Sequence, residues 1–272
     1  MRHPSAAPRH EQGVLDFTQP DHAVPTQFWR PIHYLGSKLR IGSALRTLVD
    51  EVAPGNSRIC DLFSGSGTVA FSFSRDRPVT AVDIQAYARI ICSAVLPTET
   101  REFDVLGTIA VIEQSPFYRK LKQEIQPVIS IENDAKERAL NEPSRLIDIV
   151  ENGCILAHKK GVSGVKNDDI RAKLSDAVFS LERLSCTYGF RPLVTEYYGG
   201  VYFSYSQAAQ IDAVLYEISQ ERQIHQDILL AALLSTASDT VNTVGKQFAQ
   251  PLKLTRKDGS LKTQHLSKIS KD

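Results

Sequence analysis

"RICDLFSGSGTVAFSF", residues 58–73, decides the fold. An apolar run carries an acidic residue, Asp61, directly into a loop of serine and glycine, and the apolar pattern then restarts with helical spacing. The spacing predicts a strand over 58–63 and a helix over 68–74. A second strand is predicted over 79–84, with Asp83 near its end, followed by a helix over 85–96. Strand, glycine loop, helix and strand ending in an acid form a βαβ unit, which demands a parallel sheet.

Upstream, Ile41, Leu45, Leu48, Val49 and Val52 fall on one face of a helix predicted over 38–53, which Pro54-Gly55 ends. Residues 1–27 hold four prolines and little apolar periodicity, so they read as a flexible leader. Downstream, residues 99–185 read as mostly helical, with Ile170, Leu174, Val178 and Leu181 on one face. "HKKGVSGVKND" (158–168) reads as a loop, and "EYYGGVYFSYSQ" (196–207) places aromatics around a Gly-Gly turn. Ser206 is positioned to cap a helix whose Ile211, Val214, Leu215 and Ile218 align, and a more buried helix follows.

The bulk numbers narrow the class. The chain has 272 residues, 42% hydrophobic and 23% charged, which suits one large domain or a core with a smaller attachment. A net charge of +1 leaves nucleic-acid contact to local patches. Cys60, Cys92, Cys154 and Cys186 form no CxxC pair and read as reduced, buried thiols, with no metal site. No apolar run is long enough to span a membrane, and the expectation is a cytoplasmic protein.

A loop at the carboxyl end of a parallel strand is where nucleotide ligands bind in open α/β sheets. Asp83, 22 residues beyond Asp61, stands where an acid accepts both ribose hydroxyls of an adenosine. The dinucleotide fingerprint fits poorly, because its third glycine is replaced and Asp61 precedes the loop. A carboxylate there repels pyrophosphate and suits an ammonium group. S-adenosylmethionine offers an adenosine, an ammonium and no phosphate, so the charges favour it over a nicotinamide cofactor.

"HYLGSKLRI", "DLFSGSGTVAF" and "VTAVDI" together resemble the opening of the DNA adenine N6-methyltransferases, the family of the DNA adenine methylases. "YYGGVYFSYSQAAQID" and "NTVGKQFAQP" resemble later segments of one bacterial subgroup, less specifically. The resemblance implies an α/β fold: a Rossmann-like S-adenosylmethionine-dependent methyltransferase sheet, incomplete in this chain, with a helical target-recognition region. It implies cofactor binding by Tyr34, Gly36, Lys38, Asp61, Phe63, Ser64, Gly65, Gly67, Asp83 and Ile84. Tyr34 and Lys38 would close over the methionine end, Asp61 to Gly65 cradle it, Asp83 hold the ribose and Ile84 pack on adenine.

Methylation of an amine needs a second constellation, which in the family is an Asp-Pro-Pro-Tyr segment gripping the flipped base. None of the 13 prolines here is adjacent to another or preceded by Asp or Asn. "SPFY" offers weak substitutes, Ser115 and Tyr118, and reads more naturally as a turn between helices. The expectation is therefore a cofactor-binding half whose catalytic segment comes from a second protein subunit. The alternative is a degenerate regulator without chemistry. Double-stranded DNA would meet Lys159, Lys160 and Lys166 through its phosphates and Tyr198 and Tyr202 through its bases, while the lysine-rich tail adds charge. The expected organisation is a leader (1–27), a cofactor-binding α/β region (28–115), a mainly helical recognition region (116–205), and a helical segment with a basic tail (206–272).

Overall fold

A computed structural model describes residues 32, 38–96, 104–221, 223–243, 250–256, 258, 260–263 and 269. A 3-10 turn, Lys38–Ile41, leads into α1 (Gly42–Val52), and the βαβ unit follows as β1 (Ile59–Asp61), α2 (Thr68–Phe73), β2 (Val79–Ala81) and α3 (Ala86–Val95). β1 and β2 are parallel, with Ile59 opposite Val79 and Asp61 opposite Ala81. The Ile59 N–H donates to Pro78 O (2.9 Å), the Val82 N–H to Asp61 O (2.8 Å), and the Ser64 N–H to Val82 O (3.1 Å). These are the only two strands of the sheet among the described residues.

This register turns the peptide groups of Cys60, and those of Val79 and Ala81, toward the two outer edges, where no described strand meets them. One face of the sheet, Cys60 and Thr80, is exposed, whereas Ile59, Asp61, Val79 and Ala81 are half-buried on the α2 side. Parallel sheets normally have both faces covered. Here one face and both edges are open among the described residues.

The rest is helical: α4 (Val105–Glu113), α5 (Pro116–Glu124), α6 (Gln126–Glu137), α7 (Pro143–Asn152), α8 (Ile155–Lys159), α9 (Asp168–Tyr188), α10 (Leu193–Tyr198), α11 (Tyr205–Gln220) and α12 (Gln223–Thr240). Local sequence explains their boundaries. Proline occupies the first turns of α5, α6 and α7, where its missing N–H costs nothing. Asn167 caps α9 by accepting from the Ile170 N–H (3.1 Å), and Gly189, at φ +62°, ends it in the left-handed conformation.

Two details depart from expectation. The cap of α11 is Ser204 rather than Ser206, in a reciprocal capping box with Gln207. Its deepest face is lined by Ala208, Ala209, Asp212 and Ala213, because small side chains let neighbouring helices approach; of the predicted face Ile218 is buried, whereas Ile211, Val214 and Leu215 are only half-buried.

One apolar core joins α5, α6, α7, α9 and α11 and also takes in Leu252, Leu254 and Ile269. Phe117 sits at its centre, stacked on Tyr216 (4.4 Å between centroids) and edge-on to Tyr188 and Phe190. The lysine-rich tail is thus partly anchored: Glu151 Oε1 accepts from the Leu254 N–H (2.9 Å), the Thr255 N–H (2.9 Å) and the Thr255 hydroxyl (2.8 Å).

Residues 38–113 contribute nothing to this core and form no comparable cluster among the described residues. The buried apolar side chains there are Ala70, Phe73, Ala88, Ile91 and Cys92. On α1 the predicted apolar face is only partly covered: Leu45 and Val49 are half-buried, whereas Ile41, Leu48 and Val52 are exposed. On α4, VLGTIAVIE, no residue is buried. A helix apolar all round is ordinarily an interior helix. The expectation of four buried thiols also fails: Cys92 is buried, Cys154 is half-buried, and Cys60 and Cys186 are exposed, all free.

Candidate cofactor site

The loop between β1 and α2 is built by its glycines. Gly65 (φ +50°) and Gly67 (φ +73°) hold left-handed conformations that other residues resist, and Gly67 is the N-cap of α2. A Cβ on Gly67 would lie 3.1 Å from the Cys92 sulfur, so the loop also fits closely against α3. Asp83 fastens the loop from the other strand. Its Oδ2 accepts from the Gly65 N–H (2.8 Å) and its Oδ1 from the Gln85 N–H (2.9 Å). Hydrogen bonds from Gln85 and then Gly65 hold the Asp83 carboxyl below the usual carboxylate range.

Ser64 is buried, and the Cys92 thiol donates to its hydroxyl (3.6 Å). Burial is the main cause pushing that thiol up from its ordinary value. Asp61, at the end of β1, has a buried Oδ2 with no hydrogen-bond partner among the described residues. An unpaired carboxylate oxygen out of water is costly, and a cationic ligand group would satisfy it. Beside the loop lies a cavity of about 760 Å³, bounded by Ser64, Asp83, β2 and α3. That volume falls in the range of small-molecule sites.

Of the remaining residues expected here, Phe63 (80% exposed) and Ile84 (99% exposed) project from the carboxyl ends of the strands. A core-packing role for them is not what the structure has; they are apolar surface at the mouth of the site. Lys38 is exposed in the 3-10 turn. Tyr34 and Gly36 lie outside the described residues. The Cys92 and Ser64 pairing and the α3 wall were not foreseen. Only the spacing of Cys92 within the predicted helix over 85–96 hinted at them.

Ser115 and Tyr118 stand elsewhere. Ser115 is the N-cap of α5, accepting from the Tyr118 N–H (3.2 Å) while its hydroxyl donates to Glu217, and Tyr118 packs against the helical core. The aromatic corner divides in two. Tyr205 is buried, its hydroxyl donating to Gly153 O (2.5 Å), whereas Tyr197 and Tyr198 are exposed and Tyr198 meets Tyr202 edge-on at 5.5 Å. The Gly-Gly turn is required, since a Cβ on Gly200 (φ +80°) would lie 2.7 Å from the Tyr205 hydroxyl. Lys159, Lys160 and Lys166 are exposed, and Lys159 pairs with Glu182 (2.6 Å).

Residues 34–164, just under half of the chain, match the family model described as D12 class N6 adenine-specific DNA methyltransferase. Over those residues the chain is similar to the D12-class DNA adenine methyltransferases. No curated protein and no solved structure matches it. That family is one of adenine N6 methylation in DNA, with S-adenosylmethionine as the methyl donor. The matched span covers the glycine loop, Asp61 and Asp83 and extends into the helical core. No helix among the described residues is long and apolar enough to cross a membrane, and no described cluster of His, Cys, Asp and Glu suits a metal ion.

Proposed function

We propose that this D12-class chain is the cofactor-binding and target-recognition half of a site-specific DNA adenine N6-methyltransferase, with the base-gripping catalytic segment supplied by a partner subunit. The observation that carries this reading is the imbalance of packing. Among the described residues, the helical ones share a full core, whereas the unit bearing the glycine loop has open sheet edges, an uncovered sheet face and an apolar helix with no buried residue. Such a unit becomes stable when further strands and a covering layer are added. The absence of an Asp-Pro-Pro-Tyr segment among these 272 residues supports the same division of labour.

The donor set fits S-adenosylmethionine. Held there, the cofactor would supply a sulfonium methyl as the group to be transferred. Asp61 would accept from the ammonium with its unpaired oxygen, Asp83 would hold the ribose, and Ile84 and Phe63 would give apolar cover to the adenine side. Lys38 would balance the carboxylate, and Tyr34 and Gly36 would complete that end of the site. Gly65 and Gly67 keep the backbone close to the ligand, and Ser64 orients the loop against Cys92. In this arrangement the chain's share in catalysis is positioning of the donor.

DNA contact is assigned to residues 116–205, which form the recognition region, with the cofactor region over 28–115 and an anchored C-terminal segment over 206–272. Lys159, Lys160 and Lys166 meet phosphates, and Tyr198 and Tyr202 stack on exposed bases. A degenerate regulator without chemistry is the competing reading, and the missing catalytic segment is what favours it. Calorimetric titration of the purified chain tests the assignment. Binding of S-adenosylmethionine, no binding of a nicotinamide dinucleotide, and about tenfold weaker binding in Asp61→Asn are the expected results; absence of S-adenosylmethionine binding overturns it.

A further inference from the structure

The helix that walls the cofactor cavity is not seated on the sheet. α3 packs chiefly on α12, more than a hundred residues later, and the cavity of about 760 Å³ separates it from β2. What fixes α3 at its N-terminal end is a forked ion pair: Arg89 Nη1 donates to Asp227 Oδ2 (2.9 Å) and Nη2 to Oδ1 (3.1 Å). Two parallel bonds of this kind constrain orientation as well as distance. Arg89 stands one turn beyond Gln85, the N-cap of α3, whose N–H is donated to Asp83. Asp83 in turn takes the Gly65 N–H, and Cys92, one turn further along α3, holds Ser64. A continuous set of contacts therefore runs from α12 through α3 into the glycine loop.

We propose that Asp227 is a positioning residue for the cofactor site: through Arg89 it sets α3 and hence the loop, so that the C-terminal helix governs cofactor affinity. This rests on the cofactor reading above. A chain built this way couples its two halves, because anything that moves α12 moves the wall of the donor pocket.

The test compares wild type with Asp227→Asn, Arg89→Gln, the charge-swapped pair Asp227→Arg with Arg89→Asp, and Glu182→Gln as a control ion-pair loss elsewhere. Titration with S-adenosylmethionine is paired with amide hydrogen exchange over residues 83–93 and a thermal melt. Both single variants at the clamp should bind about threefold to fivefold more weakly, the range open to a well-formed exposed pair. They should also exchange faster over 83–93 with nearly unchanged melting temperature, and the swapped pair should recover most of both losses. Glu182→Gln should match wild type. Unchanged affinity and exchange in both single variants overturn the proposal, as does equal weakening by Glu182→Gln. If wild type itself binds no S-adenosylmethionine, the cofactor reading fails, and exchange alone decides the clamp: unaltered protection of 83–93 overturns it. Arg89→Gln, altered on an exposed side chain, keeps the test open should Asp227→Asn fail to fold.

Discussion

Glu132 is a carboxyl sealed inside the helical core, 2% exposed, and its replacement by Gln should stabilise the protein above neutral pH. It lies on α6 and accepts the Tyr205 N–H (2.9 Å) at the start of α11. Burial raises its pKa from 4.5 to about 7, against the smaller opposing effects of Lys136 and of the Tyr205 hydrogen bond. Because the folded value lies above the unfolded one, the folded state binds the extra proton, and the benefit is complete below about 4.5. It is lost as pH rises through about 7. At about 1.4 kcal/mol per pH unit the ionised group costs about 3 kcal/mol at pH 8. Gln keeps an oxygen for the Tyr205 N–H and carries no charge. Urea titrations of both proteins at pH 5 and pH 8 isolate the effect, since all other ionisations cancel in the difference. The variant should gain about 2–3 kcal/mol on wild type at pH 8 and a small fraction of that at pH 5. In a melt the pH 8 gain is worth about 2–4 °C for each kcal/mol. A constant difference between the two proteins across that pH range would refute the reasoning.

Three further perturbations address the loop and the helices. Asp61→Asn should weaken S-adenosylmethionine binding about tenfold, from loss of a charged hydrogen bond, while leaving the melting temperature equal or slightly higher because a costly unpaired oxygen is gone; calorimetry and a melt decide it. Gly67→Ala forces a left-handed conformation and presses on Cys92, so denaturant titration should show a loss of about 1–2 kcal/mol. Ser204→Ala removes half of the α11 capping box and should cost about 1 kcal/mol by the same measurement, whereas Ser206→Ala should be nearly silent.

The βαβ unit was legible because glycine, chain reversal and apolar spacing are local. Residues 58–73 contain everything needed to place β1, the loop and α2, and the predicted limits fall within two residues of the observed ones. The roles proposed for Asp61 and Asp83 follow from charge at a strand end, which is also local information. On α11 aliphatic size is a poor guide to depth: Ile218 is buried as expected, but Ile211, Val214 and Leu215 are only half-buried. Its interior instead uses alanines around Asp212, whose carboxyl accepts the Val194 N–H (3.0 Å) and Thr195 N–H (2.6 Å) at the start of α10. Burial lifts Asp212 to about 6. Nothing in the sequence announces that an acid within a helix will cap its neighbour. Nor does it announce the Arg89 and Asp227 clamp, whose partners are 138 residues apart. Long-range pairs of common side chains leave no pattern to read. The exposed α4 shows the converse: its apolar sequence is plain, but only the structure reveals that none of it is buried here.

In the proposed arrangement one active site is divided between polypeptides, the methyl donor gripped by this one and the acceptor base by another. Labelled methyl transfer to duplex DNA tests it most directly, run with the purified chain alone and again after adding a polypeptide that carries an Asp-Pro-Pro-Tyr segment and the remaining strands. The account predicts donor binding without transfer in the first case and adenine methylation in the second. Full-rate methylation by the chain alone would contradict it.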